Sequence, residues 1–401
     1  MLGVFNLVMS VYIFGITLGN FGINFAITRL VSEELAIGNM SGAKKIAKIC
    51  ILSSLLCGIF SSTIFLLFSD FIINNCLHKK ISKSVIYLIC LALPFISMST
   101  SITGYFVAVR RVYKSTFSQF FEQIIKIILS AFCLSLFLPN GLDYACFALI
   151  LGDLLSEISS FVFNYILYLK DSKIYNQSYK INMPLKYYNK KVFHLSLPVA
   201  ITSMIKSGLS TIKQIIIPLS FEKGLMDCKK ALSLYGEING MAMPIILFPN
   251  VIFSSISSLL VPEFASYKAQ NRHKSIKYVS WTVILISIIL CILASILLFL
   301  LSNKLGLWIY KDQTISNYIK ILSPLAFFVL LDCVIDNILK GLDAQNSVMI
   351  INICDTFIDI ILIYFIVPKF GIHGYIISIY VSEIFNLILS SIKMISTIKK
   401  F

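Results

Sequence analysis

The sequence predicts an all-α integral membrane protein made of two helical bundles. Of its 401 residues, 58% are hydrophobic and only 13% are charged. A soluble domain usually has about 25% charged residues. The chain also contains repeated apolar runs of the length, about 18 residues or more, that crosses a bilayer as a helix. A long basic stretch divides these runs into two groups, which indicates two bundles.

Eleven apolar segments are long enough to be predicted as membrane-spanning helices. In order along the chain they are 2–27, 49–68, 85–109, 116–137, 145–168, 195–219, 240–261, 278–301, 320–339, 348–367 and 374–392. Polar or basic residues bound each segment. Segments of this kind favour helices, because a helix satisfies its own backbone hydrogen bonds inside lipid.

The longest polar stretch defines the predicted domain organisation. Residues 170–191 carry six lysines and Pro184, and they follow five spans and precede six. We therefore expect an N-terminal transmembrane lobe over 1–169, a basic cytoplasmic linker over 170–191 and a C-terminal transmembrane lobe over 192–401.

Loop charge predicts the orientation of the chain. Alternate connections beginning after the first span, together with the C-terminus, contain 21 lysines and arginines, whereas the other connections contain 9. The positive-inside rule places the richer set in the cytoplasm. A multi-pass protein of the bacterial cytoplasmic membrane with a cytoplasmic C-terminus is expected, and its first span would then begin outside.

A weak internal repeat supports a helix missing before the first span. The segment Leu30-Val31-Ser32-Glu33-Glu34 resembles Leu260-Val261-Pro262-Glu263-Phe264, and each precedes basic residues and a new apolar run. If one helix preceded residue 2, the two segments would occupy equivalent places in a six-plus-six protein. Its halves would be parallel repeats.

Carboxylates inside predicted spans are candidates for ion coupling, because ionisable groups at membrane depth are costly and usually functional. Three pairs have i, i+4 spacing, which places both side chains on one helix face. They are Asp153 with Glu157, Asp332 with Asp336, and Asp355 with Asp359. Neighbouring carboxylates cannot both ionise easily in low dielectric, which suits coupling to H⁺ or Na⁺. Structural pairing with lysines across the bundle explains them equally well.

Basic residues inside the spans are candidates for binding an anionic ligand. Lys206 and Lys213 lie seven residues apart on one face of the sixth span, and Glu122 and Lys126 lie on the fourth. We expect these four residues to contact substrate in a cavity. The alternative is that the lysines extend from the helix towards the interface.

Several other classes of protein are excluded or disfavoured. The chain has no P-loop, HExxH or GxSxG motif and its four histidines are dispersed, so we predict neither an enzyme nor a metal site. No cofactor is expected. The net charge of +15 comes mostly from loop lysines rather than from a basic, aromatic-interleaved patch. Membrane topology and anionic lipids account for it, so no nucleic-acid partner is predicted. We expect a monomer.

Motifs along nearly the whole chain resemble one branch of transporters. They are the run Ala231–Asn250 with its continuation to Ala265, the stretch Gly15–Asn39 ending AITRLVSEELAIGN, Gly104-Tyr105-Phe106, and Ser118–Lys126. Together they are similar to the stage V sporulation protein B/polysaccharide biosynthesis branch of the multidrug/oligosaccharidyl-lipid/polysaccharide exporter superfamily. The resemblance implies two six-helix lobes around a central cavity, here with the family's first helix absent, and alternating access.

The same resemblance implies a substrate class and a setting. The substrate would be an undecaprenyl-pyrophosphate-linked saccharide such as the cell-wall precursor lipid II, used in peptidoglycan or polysaccharide synthesis and, by analogy, in sporulation. Lys206 and Lys213 would then hold the pyrophosphate. Two alternatives stay open: a cation-coupled multidrug or metabolite exporter of the same fold, and a membrane assembly factor that transports nothing.

Overall fold

The structure, a computed structural model, consists of helices joined by short connections. It describes residues 2–76, 83–137, 142–174, 184–225, 227–258, 260–269 and 272–399, and no strand occurs in these ranges. The chain divides into two compact units. One is Leu7–Gly208, and the other combines Met1–Asn6 with Leu209–Phe401.

Within its described residues, the first half of the chain contains eight helices, the last of which runs into the second unit. Their bounds are α1 Leu2–Asn20, α2 Ile23–Ala36, α3 Met40–Leu67, α4 Ser69–Phe71, α5 Lys83–Ala108, α6 Val112–Phe137, α7 Leu142–Ile174 and α8 Leu185–Leu225. A short π-helical segment, Ile72–Cys76, follows α4. Because the units divide at 208/209, α8 contributes its first part to one unit and its remainder to the other. The division by packing therefore lies C-terminal to residues 170–191, of which 175–183 fall outside the described residues. That this stretch is a cytoplasmic linker stays a prediction.

The described part of the second half contains seven further helices. They are α9 Cys228–Tyr235, α10 Met243–Ser258, α11 Leu260–Ala269, α12 His273–Leu305, α13 Gln313–Leu322, α14 Leu325–Gly341 and α15 Gln345–Lys399. Two π-helical segments, Gly236–Ala242 and Gly306–Tyr310, continue α9 and α12. Asp312 caps α13 by accepting a hydrogen bond from the Thr314 backbone N–H at 2.8 Å. Hydrogen bonds from Thr314, first from its hydroxyl, hold the pKa of the Asp312 carboxyl below its ordinary value.

The helices that are long and apolar enough to span a membrane agree with the predicted segments. Within the described residues there are nine such helices, or ten when α13 and α14, bent by 48°, count as one span. Most begin several residues before the predicted apolar run, because a helix continues beyond the hydrocarbon into the interface. The prediction of an all-helical membrane protein is confirmed.

Helix α15 is a helical hairpin that covers the last two predicted spans. Gly371 has φ 57° and ψ −131°, which interrupts the helix. The Ser382 hydroxyl donates to Asp355 at 2.5 Å, although 27 residues of continuous helix would separate them by about 40 Å. The chain therefore folds back near Gly371. Counting its two limbs separately accounts for all eleven predicted spans.

Small residues bring the helices of the Leu7–Gly208 unit close together. A Cβ placed on Gly58 of α3 would lie 2.7 Å from Pro94 Cα of α5, and one on Gly19 would lie 2.5 Å from the Ser97 hydroxyl. Close approach of this kind is how membrane helices gain van der Waals contact without a hydrophobic driving force. The packing leaves α6 and α7 paired at one side of the unit, where the polar residues gather.

Candidate substrate cavity and charged clusters

A polar cavity of about 560 Å³ lies inside the Leu7–Gly208 unit. Its walls come from α5, α6 and α7 and carry hydroxyl, amide and carboxylate groups. The lining residues are Ile96, Ser99, Thr100, Thr103, Thr116, Gln119, Phe120, Glu122, Gln123, Glu157 and Asn164. Polar groups at this depth would be costly unless they bind something, so this polar cavity is the candidate substrate site.

Helical spacing explains why these side chains converge. On α6, Gln119, Glu122 and Gln123 lie at i, i+3 and i+4, and therefore share one face. On α7, Glu157 and Asn164 are seven residues apart and lie on one face as well. Since α6 and α7 pack along their length, the two polar faces meet.

Hydrogen bonds hold the walls of the polar cavity in place. The Ser160 hydroxyl donates to Glu122 at 2.7 Å. The Asn164 amide donates to the Ser99 hydroxyl at 3.0 Å, which joins α7 to α5. The Thr100 hydroxyl donates to the Asn20 side chain at 2.7 Å. Because these contacts fix the rotamers of the lining residues, the cavity is preorganised.

An ion pair joins α6 and α7 beside the polar cavity. Lys126 Nζ lies 2.5 Å from Asp153 Oδ1, and Asp153 is almost fully buried. The Tyr12 hydroxyl is also buried and has no hydrogen-bond partner among the described residues. It lies near enough to Glu157, Asp153 and Glu122 to interact with them electrostatically. Lys126 therefore neutralises one of three carboxylates that gather here.

A second ion pair lies in the unit that contains Leu209–Phe401. Lys213 Nζ of α8 lies 2.5 Å from Asp359 Oδ2 of α15, and the Asp359 side chain is only 1% exposed. Lys213 also interacts electrostatically with Glu383 and Asp355. Lys213, which is about one-third exposed, thus faces several carboxylates and has an ionic partner.

Amide and hydroxyl side chains partner Asp332, Asp336 and Asp355 in this unit. We call the five residues Asp332, Asp336, Asp355, Asp359 and Glu383 the carboxylate cluster. The Asn386 amide donates to Asp332 at 2.9 Å, and the Asn352 amide donates to Asp336 at 3.3 Å. Amide donors stabilise carboxylates without adding charge, which leaves the cluster acidic overall.

The matched families decide the classification of the chain. Residues 2–268 match the family described as polysaccharide biosynthesis protein, and residues 198–365 match the MatE family. The first match extends over more than half of the 401 residues. The chain belongs to the polysaccharide biosynthesis protein family.

Individual relatives of this polysaccharide biosynthesis protein agree with that assignment. It is 23% identical over 379 residues to the stage V sporulation protein B of Bacillus subtilis (strain 168), an alignment that covers 93% of this chain and 73% of that protein. It is similar in fold to an inward-facing multidrug resistance MATE family transporter of the MOP superfamily, with a TM-score of 0.73 and 12% identity, covering 100% of this chain and 96% of the other.

A further solved structure with this fold is that of a MOP superfamily transporter from Pyrococcus furiosus Vc1 (DSM3638). The TM-score is 0.67 and the identity 12%, with 100% of this chain and 89% of that chain covered. Its description states that a reversed polarity of the binding pocket suggests a different function. Together the matches give this chain the fold of MATE family transporters and make it a membrane transporter rather than an enzyme.

The structure brings some of the predicted site residues together and separates others. Glu122, Lys126, Asp153 and Glu157 were expected to divide between substrate binding and coupling, but they form one group between α6 and α7. Lys206 and Lys213 share a helix, yet the boundary of the units at 208/209 falls between them. Lys206 is exposed and has no ion-pair partner within the described ranges.

Several functional candidates were missed in the sequence. The hydroxyl and amide residues of the cavity wall carry no charge and are common in membrane helices, so nothing marked them individually. The spacing of Gln119, Glu122, Gln123 and Lys126 at i, i+3, i+4 and i+7 was the available signal. The predicted absence of a metal site stays a prediction, although no group of three or more His, Cys, Asp or Glu suited to a metal occurs in the part of the chain that the structure describes.

Proposed function

We propose that this protein is a flippase for an undecaprenyl-pyrophosphate-linked saccharide, such as lipid II or a related cell-wall or polysaccharide precursor. It would work by alternating access in the bacterial cytoplasmic membrane, with its C-terminus in the cytoplasm. The family match and the resemblance to stage V sporulation protein B support this substrate class. A role in peptidoglycan synthesis or sporulation is part of the same proposal.

The polar cavity is the observation that carries the proposal. Its volume of about 560 Å³ is in the range of small-molecule sites, about 300–1,000 Å³. A sugar presents many hydroxyls that both donate and accept hydrogen bonds, and the cavity offers hydroxyl, amide and carboxylate partners for them. An apolar substrate would leave these groups unsatisfied, which is unfavourable at membrane depth.

The basic residues take different parts in this proposal. Lys206 is exposed and without an ionic partner in the described residues, so it is the principal candidate for the pyrophosphate. An anion at Lys213 would compete with Asp359 for the ammonium group, and an anion at Lys126 would compete with Asp153. Such an exchange of partners would couple substrate binding to a change in each cluster.

The carboxylates are proposed to carry the coupling cation, H⁺ or Na⁺. Asp153 and Glu157 lie beside the polar cavity, and Asp332, Asp336, Asp355 and Asp359 belong to the carboxylate cluster. A cation bound among several carboxylates relieves their mutual repulsion. Binding it therefore changes which charges balance Lys126 and Lys213.

Reconstitution tests the proposed activity directly. The purified full chain would be placed in liposomes that contain a fluorescent polyprenyl-diphosphate saccharide, and its movement between leaflets followed with a membrane-impermeant quencher. We expect the protein to accelerate flipping of this lipid but not of a fluorescent phosphatidylcholine. Flipping no faster than in protein-free liposomes would contradict the proposal.

A single substitution tests the pyrophosphate contact. Lys206→Gln removes the charge but keeps a polar side chain, so we expect the KM for the pyrophosphate-linked lipid to rise about tenfold, since a hydrogen bond to a charged group contributes about 1.5–3 kcal/mol. Lys190→Gln is the matched control, because Lys190 is exposed on the same helix. An unchanged KM in Lys206→Gln would remove Lys206 from the site.

The second candidate is a cation-coupled exporter of drugs or metabolites. The observation in its favour is that the carboxylates Glu122 and Glu157 line the polar cavity, whereas Lys126 and Lys213 are paired. An acidic cavity suits a cationic substrate. Transport of a cationic dye into the same liposomes, with no flipping of the saccharide lipid, would favour the exporter.

A further inference from the structure

An apolar groove of about 370 Å³ lies in the Leu209–Phe401 unit, and no residue of the carboxylate cluster lines it. Three long helices, α10, α12 and α14, form it together with the first residue of α11. Its main lining residues are Ile252, Ile256, Leu290, Leu293, Leu297 and Val334. Only two serines, Ser257 and Ser287, interrupt the apolar lining, so the groove can recognise hydrocarbon and little else.

The position of the groove along α12 places it within the hydrocarbon core of the membrane. Its lining on α12 extends from Val283 to Leu297, a rise of about 21 Å. The span to which α12 belongs runs from His273 to Tyr310, so the groove occupies its middle part. Because the bilayer core is about 30 Å thick, the groove is surrounded by lipid chains rather than by water.

The groove is open to the membrane. Ile256 is 62% exposed, Leu293 is 55% exposed and Leu290 is 46% exposed, although all three line it. A hydrocarbon chain lying in the groove would contact protein on three sides, whereas a chain against a flat helix face contacts it on one side. Inside a membrane such van der Waals contact is the available source of attraction, since burial from water contributes nothing there.

We propose that this groove binds the isoprenoid chain of the lipid-linked saccharide. The inference rests on the proposed function. It places the isoprenoid chain against α10, α12 and α14 and the saccharide outside this groove. A single groove fits a carrier that has one chain on each head group, whereas a phospholipid brings two chains together. Branched side chains such as Ile252, Ile256 and Leu293 provide a surface of methyl groups against which a methyl-branched chain packs.

Photo-crosslinking tests the groove without requiring transport. The full chain in proteoliposomes would be irradiated with a polyprenyl phosphate that carries a diazirine in its chain and no saccharide, and the adducts mapped by mass spectrometry. We expect adducts within 252–260 and 283–297, and at least fivefold fewer with a phosphatidylcholine that carries the diazirine in an acyl chain. Equal labelling by the two probes would show that bulk lipid fills the groove and would overturn the inference.

Two tryptophan substitutions on one helix provide the matched comparison. Leu293→Trp places a larger apolar ring in the groove, and Ile289→Trp does so at an equally exposed position of α12 that does not line it. Leu293→Trp should lower labelling by the polyprenyl phosphate at least fivefold and slow flipping of the saccharide lipid. Ile289→Trp should change neither.

The outcomes separate this inference from the proposed function. Groove labelling that Leu293→Trp abolishes, in a protein that flips no saccharide lipid, would support the chain site and contradict the flippase. Normal flipping with adducts confined to other helices would support the flippase and overturn the chain site.

Discussion

At the scale of single residues, Lys213 shows how this chain accommodates a charge at membrane depth. Its ammonium group lies 2.5 Å from Asp359, whose side chain is 1% exposed. Removing one partner of a buried pair leaves the other uncompensated, at a cost of about 3–5 kcal/mol, whereas replacing both partners by apolar residues is often neutral. The pair therefore contributes to stability chiefly because Lys213 compensates the charge of the buried Asp359 carboxylate.

A comparison of thermal unfolding midpoints tests this interpretation of the Lys213–Asp359 pair. Lys213→Met should lower the unfolding midpoint of the detergent-solubilised protein by about 5 °C or more. The double variant Lys213→Met/Asp359→Leu should recover most of this loss, because no unpaired charge remains. If the double variant is no more stable than the single variant, the loss of stability in Lys213→Met does not come from an uncompensated charge on Asp359.

Glu122 is the residue at which substrate contact and coupling can be distinguished. It lines the polar cavity and accepts a hydrogen bond from Ser160 at 2.7 Å. Glu122→Gln preserves the shape and an acceptor oxygen but removes the charge, and charge-assisted hydrogen bonds are about twice as strong as neutral ones. We expect KM for the saccharide lipid to rise about fivefold with little change in kcat.

The control for Glu122→Gln is Asp70→Asn, in the same unit. Asp70 forms an ion pair with Lys83 in which both side chains are more than half exposed, so its loss should leave transport unchanged. If Glu122→Gln instead lowers kcat at saturating lipid, Glu122 acts in coupling rather than in substrate contact.

At the scale of helices, the hairpin at Gly371 is set by backbone conformation. The φ of 57° with ψ of −131° is a combination that essentially only glycine adopts, and an added Cβ at Gly371 would meet nothing within 4 Å. Substitution would therefore cost backbone strain alone. Gly371→Ala should destabilise the protein by about 1–3 kcal/mol, measured as a lower thermal midpoint.

Gly208 in helix α8 is the matched control for Gly371. Its added Cβ would contact Phe14 at an ordinary 3.5 Å, and its φ is not positive. Gly208→Ala should be neutral or stabilising by about 0.5–1 kcal/mol, since alanine loses less entropy in a helix. If both alanine variants have the same thermal midpoint as the parent protein, the turn at Gly371 does not require glycine.

Some helix features could be predicted from the sequence and others could not. The last two spans, 348–367 and 374–392, were predicted separately, and the structure turns the chain between them at Gly371. The break in the first span at Phe21 and Gly22 lies inside 2–27, which was predicted as one continuous span. Gly22 has a φ of 65°, and an added Cβ would lie 2.6 Å from the Ser196 carbonyl oxygen. This break depends on contact with a helix about 170 residues later, which local pattern does not reveal.

The candidate site likewise has some features that the sequence could predict and others that it could not. Ionisable residues in apolar runs identified Asp153, Glu157, Asp355 and Asp359 because charge is conspicuous there. Which of them would meet a lysine could not be predicted, since i, i+4 spacing describes one helix and says nothing of its neighbours. The pairing of Lys126 with Asp153 follows from the packing of α6 on α7.

At the scale of the whole molecule, the two halves of the chain repeat one arrangement. In the first half α2 ends at Ala36 and α3 begins at Met40, and in the second α11 ends at Ala269 and α12 begins at His273. The similar segments starting at Leu30 and Leu260 were expected in loops, but both are helical, and the long helices that follow begin at Met40 and His273. That the two halves are parallel repeats stays a prediction.

The predicted orientation follows from loop charge and can be tested on the intact protein. Connections predicted to be cytoplasmic hold 21 lysines and arginines and the others hold 9, a bias that the positive-inside rule converts into a topology. Asn346, exposed at the start of α15, should then face the cytoplasm, and Asn303, exposed near the end of α12, should face outside. In intact cells a membrane-impermeant maleimide should label Asn303→Cys but not Asn346→Cys, over the background of the native cysteines. Permeabilised cells supply the control, because both variants should then react. Labelling of Asn346→Cys alone in intact cells would reverse the orientation and move the C-terminus, one hairpin further along the chain, to the outer face.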